Sequence, residues 1–433
     1  MPVRRACSVT LACACAVAGL AGCSSGPPIP ARLPPVAQAY ALDVTTAGRV
    51  RWQVPLATYE SGLEQLSPVA VGAVAVFAQN DVTYGLRLAD GHRVWTWTNS
   101  SGYVAGMWRW QGLVVVLTQS NLTMDQVLTG LDASTGQPRW TLVFYGDMDA
   151  DRVGGLFSPT ADGGLAVVLL DGAPEVVDLS SGRVRWTASP GPYPVAKPVM
   201  AVAGGAVLVA VNGRLTSYDD QTGQVRWADT LMSAQLAATM AEPGLQASTA
   251  LEYLTLATAH GMQDQQVLGI SAADGRVKWR FAPVRAQSLN AYAPGLVSVM
   301  SYSGSTWQDE LDPATGRVRW QVVSSNDATV TPVGIVTGPD GTDQISLRDT
   351  LTGQTRWIAS LAGLNRASLL VFPAGHLLIV PVASPDGSDL LAALRMSDGH
   401  RAWQVTIPEP LAAPPSAVPG GMLVSTAIVL HGL

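Results

Sequence analysis

Four cysteines, five histidines and one run of alternating aspartates are the residues of this 433-residue chain best suited to chemistry. Cys7, Cys13, Cys15 and Cys23 all lie within the first 23 positions, so no disulfide, thiolate metal site or cysteine nucleophile can form beyond them. His92, His260, His376, His400 and His431 are scattered, and His92 and His400 follow a glycine at the same place in a repeated unit, which reads as a structural position. No GxSxG, HExxH or phosphate-binding loop occurs. The remaining candidates are Asp147, Asp149 and Asp151, whose alternate carboxylates could converge on Ca²⁺. Arg152 stands where such a loop needs glycine, and no glutamate occupies the bidentate position. A solvated acidic loop is the expectation.

The elements that would position such groups are periodic. Nine times a glycine is followed four residues later by a tryptophan: Gly48/Trp52, Gly91/Trp95, Gly136/Trp140, Gly182/Trp186, Gly223/Trp227, Gly275/Trp279, Gly316/Trp320, Gly353/Trp357 and Gly399/Trp403. The tryptophan spacings run from 37 to 52 residues. Upstream of each glycine lies a turn such as Leu131-Asp132-Ala133-Ser134-Thr135-Gly136, where Asp can bond the turn backbone and Gly can take a positive φ. Downstream, alternation as in Arg317-Val318-Arg319-Trp320 predicts a strand with Val and Trp on one face and the arginines on the other.

Further short runs precede each turn, as at Pro198–Val202, Ala206–Val211 and Arg214–Tyr218, with Asn212-Gly213 as a hairpin signal. Each unit is a four-stranded antiparallel meander, the size of one β-propeller blade. The tryptophans should pack between blades. A basic residue precedes the Trp in seven copies, which suggests a charged outer edge that blocks sheet-to-sheet association. The segments Ala39–Val44, Arg49–Leu56, Pro415–Pro419 and Met422–Leu430 are unpaired in sequence, so the termini should share one blade. The fold class is therefore all-β, a propeller closed by a split blade.

The pattern Ala/Gly-x-Asp-x-x-Thr-Gly-x-x-x-Trp resembles the tryptophan-docking motif of the pyrroloquinoline-quinone-like β-propeller superfamily. Asp132, Asp178, Asp219, Asp312 and Asp349 keep its aspartate. Arg87, Ser271 and Arg395 replace it and Asp43 is shifted by one, so those turns should be less regular. The resemblance implies eight blades, whereas the repeat count gives nine. Its enzymatic members would need a calcium site at the quinone, an aspartate base and usually a vicinal disulfide. The disulfide is impossible here, and no ligand set for the rest is recognisable, so pyrroloquinoline quinone is not expected as a cofactor.

Arg4 and Arg5, the apolar stretch Ala6–Gly19 and Leu20-Ala21-Gly22-Cys23 resemble a bacterial lipoprotein signal, which implies cleavage before a lipidated Cys23. Residues 1–22 are then a signal peptide and 23–40, with five prolines after Cys23, a spacer reaching about 50 Å at ~3.1 Å per residue. Residues 41–433 form the propeller. With the lipid anchor, the resemblance narrows to the propeller lipoprotein of the outer-membrane β-barrel assembly machine.

Apolar residues at 48% and charged residues at 13% allow a large core. Net charge is −6, or −8 without Arg4 and Arg5 (24 basic against 32 acidic), and Lys197 and Lys278 are the only lysines. That balance excludes a nucleic-acid partner. Membrane attachment through lipid at the extracytoplasmic face, a monomeric body and an unknown envelope protein partner are expected. The functional expectation is a non-catalytic interaction scaffold. A small-molecule or Ca²⁺ sensor and a quinone-dependent dehydrogenase are the alternatives. Trp97, Trp108, Trp110 and Trp307 lie outside the motif, and Trp108 and Trp110 are either blade core or an exposed partner patch. The insertion Thr230–Gln246, with Met232 and Met240, reads as a loop.

Overall fold

The computed structural model describes residues 38–43, 49–56, 66–99, 102–120, 125–144, 158–159, 165–170, 173–188, 199–203, 205–211, 214–229, 245–247, 253–258, 266–271, 273–281, 286–293, 296–302, 306–323, 329–331, 333–338, 344–361, 371–383, 389–408, 411, 415–418 and 421–426. Cys23, the Asp147–Asp151 run and most of the Thr230–Gln246 insertion lie outside the described residues.

Every regular element among the described residues is a strand. Val- and Leu-rich runs, broken by glycine or polar turns, give strands of two to eight residues that pair as local hairpins. They form nine four-stranded antiparallel sheets, each carrying one motif tryptophan on an outermost strand, and each is named here by that residue. The Trp95 sheet runs through Val69–Val71, Val74–Gln79, Val82–Arg87 and Arg93–Thr98 in simple meander order. The Trp140, Trp186, Trp227, Trp279, Trp320, Trp357 and Trp403 sheets repeat that order over 103–144, 158–187, 199–229, 245–281, 286–323, 329–360 and 372–407.

The Trp52 sheet is built from both ends of the chain, in the order Arg49–Pro55, Gln38–Asp43, Gly421–Ser425, Ser416–Val418. Ala39 to Leu42 pair with Ser425 to Met422. Leu42, Met422 and Val424 pack with Leu391, Ala393 and Trp403 on one side. Trp52 and Leu423 pack with Phe77, Tyr84 and Leu86 on the other. Gln38–Asp43 begins inside the segment that the sequence assigns to the spacer.

The sequence alternation misplaces one residue per unit. In all nine sheets the ladder between the last two strands slips at the residue before the tryptophan; Leu311 pairs with Val318 but Glu310 with Trp320, leaving Arg319 over. A β-bulge adds one residue, so positions two apart emerge on opposite faces. Val50, Val184, Val225 and Val318 are accordingly exposed while the tryptophans turn inward, contrary to a shared Val/Trp face.

Of the turns expected to be irregular, those at Arg87, Ser271 and Arg395 are regular, and the one after Asp43 lies outside the described residues. Gly91, Gly275 and Gly399 donate to the carbonyls of Arg87, Ser271 and Arg395 at 2.8–2.9 Å, as Gly136 and Gly182 do to Asp132 and Asp178 at 2.8 Å. The turn is closed by backbone groups, and a side chain at the position before Gly accepts from the N–H after it in either version: Thr135 from Gln137, Asp90 from His92, Asp398 from His400.

Gly182 and Gly72 separate two demands on glycine. Both have positive φ, 67° and 58°, but a methyl at Gly182 would lie 2.4 Å from the Trp140 ring, whereas one at Gly72 would meet nothing within 4 Å. Gly72→Ala should cost about 1 kcal/mol of backbone strain, and Gly182→Ala clearly more, about 2–4 kcal/mol, by forcing the indole to move. Denaturant titration of both variants checks this, and equal losses would contradict it.

Candidate functional site

The repeated motif builds a junction between each sheet and the next. The Trp95 ring lies with one face over Gly85, its cross-strand partner, and the other over Gly136 in the turn of the following sheet. A methyl group would come within 2.1 Å and 2.6 Å of the ring at these positions. Trp140 lies between Gly130 and Gly182, and Trp279 between Gly269 and Gly316, in the same way. The edge is fixed too. The indole N–H of Trp52, Trp95, Trp140, Trp186, Trp279, Trp320 and Trp357 donates to the carbonyl of Leu88, Ala133, Leu179, Asp220, Pro313, Thr350 and Met396, at 2.6–3.0 Å. In each case the acceptor stands three residues before the next turn's glycine. Trp227 lies against Gly275, and Trp403 is buried against Leu42 and Met422.

Charge closes the same junction. Arg139, Arg185, Arg226, Arg319 and Arg356, at the bulge before the tryptophan, pair with Asp132, Asp178, Asp219, Asp312 and Asp349 of their own turn at 2.5–3.1 Å. On those outermost strands, where a charged edge was expected, the bulge turns each guanidinium back onto the turn carboxylate. The Arg226 guanidinium, then Thr222, hold the Asp219 carboxyl down to about 2, and Arg356 together with the Thr352 and Leu351 N–H groups depresses Asp349. In the Trp95 and Trp403 sheets the pair is inverted. Arg87 and Arg395 sit at the turn's aspartate position and bind Asp90 and Asp398. Those same two sheets carry Val94 and Ala402, the only non-basic residues before a motif tryptophan. A second cation beside Arg87 or Arg395 would be repelled.

Among the described residues the other candidates gather no reactive constellation; Asp147, Asp149, Asp151, His260 and His431 lie outside them. Trp108 and Trp110 are half-buried and pack with Leu117, Leu128, Phe144 and Val177, which makes them blade core. Trp97 packs against the core around Val116 and Leu131. His400 lines a cleft of about 440 Å³ with Ile358, Leu361, Leu390 and Leu394 and with Ser360, Asp398 and Arg401, but Asp398 is already bonded to Arg395 and to the His400 N–H, and Arg401 to Gln404. Among the described residues no three of His, Cys, Asp and Glu converge on a metal position. No helix among them is long and apolar enough to cross a membrane.

One buried group went unnoticed in the sequence. Glu310, in Thr306–Leu311, is fully buried; Ser298 donates to its Oε1 at 2.6 Å and its Oε2 has no partner. Burial raises its carboxyl to about 8. It occupies the first position of the docking motif, where Gly85, Gly130 and Gly269 stand in other sheets, and that mismatch was the available signal.

Meandering four-stranded sheets joined in series by tryptophan docking define an all-β propeller of the quinone-like repeat type. The family model described as outer membrane protein assembly factor BamB matches residues 37–192 and 175–339, and the chain belongs to that family. BamB from Moraxella catarrhalis is 16% identical, covering 74% of this chain and 96% of its own, with a TM-score of 0.45. A eukaryotic initiation factor structure is 11% identical, covers 92% of this chain and 100% of its own, and has a TM-score of 0.61, a likeness of fold. The quinohemoprotein alcohol dehydrogenase from Comamonas testosteroni is 13% identical over 91% of this chain and 72% of its own, with a TM-score of 0.48. No curated protein sequence is significantly similar to the chain.

The inverted pair makes a specific demand. Val94→Arg should destabilise by up to about 1 kcal/mol through repulsion with Arg87, and adding Arg87→Asp should recover most of that loss. A double-mutant cycle in urea measures the coupling. Additive effects would mean that the turn charges do not communicate.

Proposed function

We propose that the chain is a non-catalytic cell-envelope scaffold that binds another envelope protein through the surface of its propeller, tethered by lipid on Cys23 at the extracytoplasmic face. The observation that carries this reading is the family match over residues 37–339. The geometry supports it, because the repeated polar and aromatic side chains are spent on holding blades together rather than on a reactive centre. In this reading the nine sheets form one ring, and Trp52, Trp95, Trp140, Trp186, Trp227, Trp279, Trp320, Trp357 and Trp403 are its structural locks. Binding then resides in unit-specific loops displayed by a stiff body.

The test pairs two measurements on the full chain. Crosslinking in intact cells followed by mass spectrometry should recover a stable envelope partner, and Cys23→Ala should release the protein from the membrane fraction. Addition of pyrroloquinoline quinone with Ca²⁺ should leave the unfolding temperature unchanged. A single site at a hundred times its Kd would stabilise the fold by about 2.7 kcal/mol, well within detection. A reproducible shift lost when quinone alone is omitted, with dye-linked alcohol oxidation, would replace the scaffold by an enzyme. A shift from Ca²⁺ alone that Asp149→Asn abolishes would favour the sensor.

A further inference from the structure

The nine units provide an internal comparison. At the position opposite the motif tryptophan stand Ala41, Gly85, Gly130, Val176, Ser217, Gly269, Leu347, Ala393 and, in the Trp320 sheet, Glu310. On the adjoining inner strand, Val76, Val115, Val167, Leu208, Val336, Ile379 and Leu423 correspond to Ser298, with Thr255 in the Trp279 sheet. Two residues before Glu310, Gln308 stands where Leu128, Leu215, Val267, Ile345 and Leu391 stand in five other sheets and Thr83 in the Trp95 sheet. All three belong to the face that Trp320 uses to reach the Trp357 sheet.

The facing sheet departs from the repeat at the same seam. Leu42, Leu86, Leu131, Val177, Leu311 and Leu394 are the residues by which other sheets pack onto the preceding tryptophan's sheet. Arg348 holds that position in the Trp357 sheet. It donates to Thr337 Oγ1 at 3.3 Å and to the carbonyl of Gly353, the glycine beneath Trp320, at 3.1 Å. Thr337 and Ser346 are buried and bonded to each other at 2.9 Å. An apolar interface has thus been exchanged, from both sides, for a polar one.

Within it the donors and acceptors do not balance. Gln308 donates to Ser298, Ser298 donates to Glu310 Oε1, and both Gln308 Oε1 and Glu310 Oε2 remain buried without a donor. Gln308 Nε2 also donates to Glu310 Oε1, at 3.4 Å. A protonated carboxyl can supply the missing hydrogen; a carboxylate would leave a buried charge with both its hydrogen bonds on Oε1 and none on Oε2. The charged groups acting on Glu310 are Asp309 and Arg319 of its own sheet, the latter already paired with Asp312; on the facing sheet Arg348 is engaged with Thr337 and Gly353.

We propose that Glu310 is a proton-binding site within the seam between the Trp320 and Trp357 sheets: the protonated carboxyl is the closed form, and loss of its proton to water makes this the first junction of the propeller to loosen. An acid whose folded pKa lies above its unfolded value favours folding at low pH. That advantage is complete below the unfolded pKa of 4.5 and is lost as pH rises through about 8. The seam is therefore tightest in acid and weakest in alkali, opposite in sign to the turn aspartates.

The experiment compares unfolding of the full chain and of Glu310→Gln between pH 5 and pH 8.5, with hydrogen exchange, corrected for intrinsic rate, read at 296–311 and 344–353. The folding constant of the parent, taken relative to the variant, should fall at least about tenfold from pH 5 to pH 8. Exchange at those two segments should rise first. Independently of the variant's stability, chain labelled with ¹³C at the glutamate carboxyl should keep one acid C=O band at pH 7 and lose it near pH 8. Parallel pH profiles, or no acid band at pH 7, would overturn the proposal. So would millimolar Ca²⁺ or Na⁺ restoring the parent but not the variant at pH 8, since the site would then hold a cation.

Discussion

An indole seated against the turn glycine of the next sheet is the constraint on which the rest of this molecule depends. The ring needs a bare turn above it in the next sheet, and its N–H needs a carbonyl presented at the right height. Those demands fix the positive-φ glycine four residues before the next tryptophan and the turn that offers the carbonyl, whereas the residue opposite the ring varies from Gly85, Gly130 and Gly269 to Val176, Leu347 and Glu310. They also explain the bulge. Without the extra residue the tryptophan would emerge on the face that looks back, and sheet would not engage sheet. Each tryptophan buries a large apolar area, and Trp52, Trp95, Trp140, Trp186, Trp279, Trp320 and Trp357 also spend their only polar group inside the junction.

The charges are subordinate to that junction. Eight ion pairs among the described residues involve a turn aspartate and an arginine within the same unit, and all are partly solvated, so none dominates stability. Their arrangement matters through sign. Where the turn carries Arg87 or Arg395, the bulge carries Val94 or Ala402, and the counter-ion moves to Asp90 or Asp398. The backbone turn is unchanged by this exchange.

Much of this was legible because each copy uses the same side chains. The Gly–Trp spacing, the turn aspartates and the pairing of the terminal strands could be read without coordinates. The bulge could not, because an inserted residue has no composition of its own: Arg319 in Arg317-Val318-Arg319-Trp320 looks like ordinary alternation. The glycine opposite the tryptophan stood in the motif without a role, since a cross-strand contact at ten residues' separation has no local signature. Glu310 was hidden for a related reason. Gln308-Asp309-Glu310 reads as a solvated edge, and only the register shows that it faces another sheet.

The account's central claim is that each tryptophan secures the sheet after it as well as its own. Hydrogen exchange on the full chain carrying Trp95→Ala tests this most directly, the substitution costing roughly 3–5 kcal/mol if the junction is as tight as its geometry. The account predicts that protection falls in 93–98 and also across the junction, in the turn at 131–137 that holds Ala133 and Gly136. Loss confined to the Trp95 sheet, with 131–137 as protected as before, would contradict it.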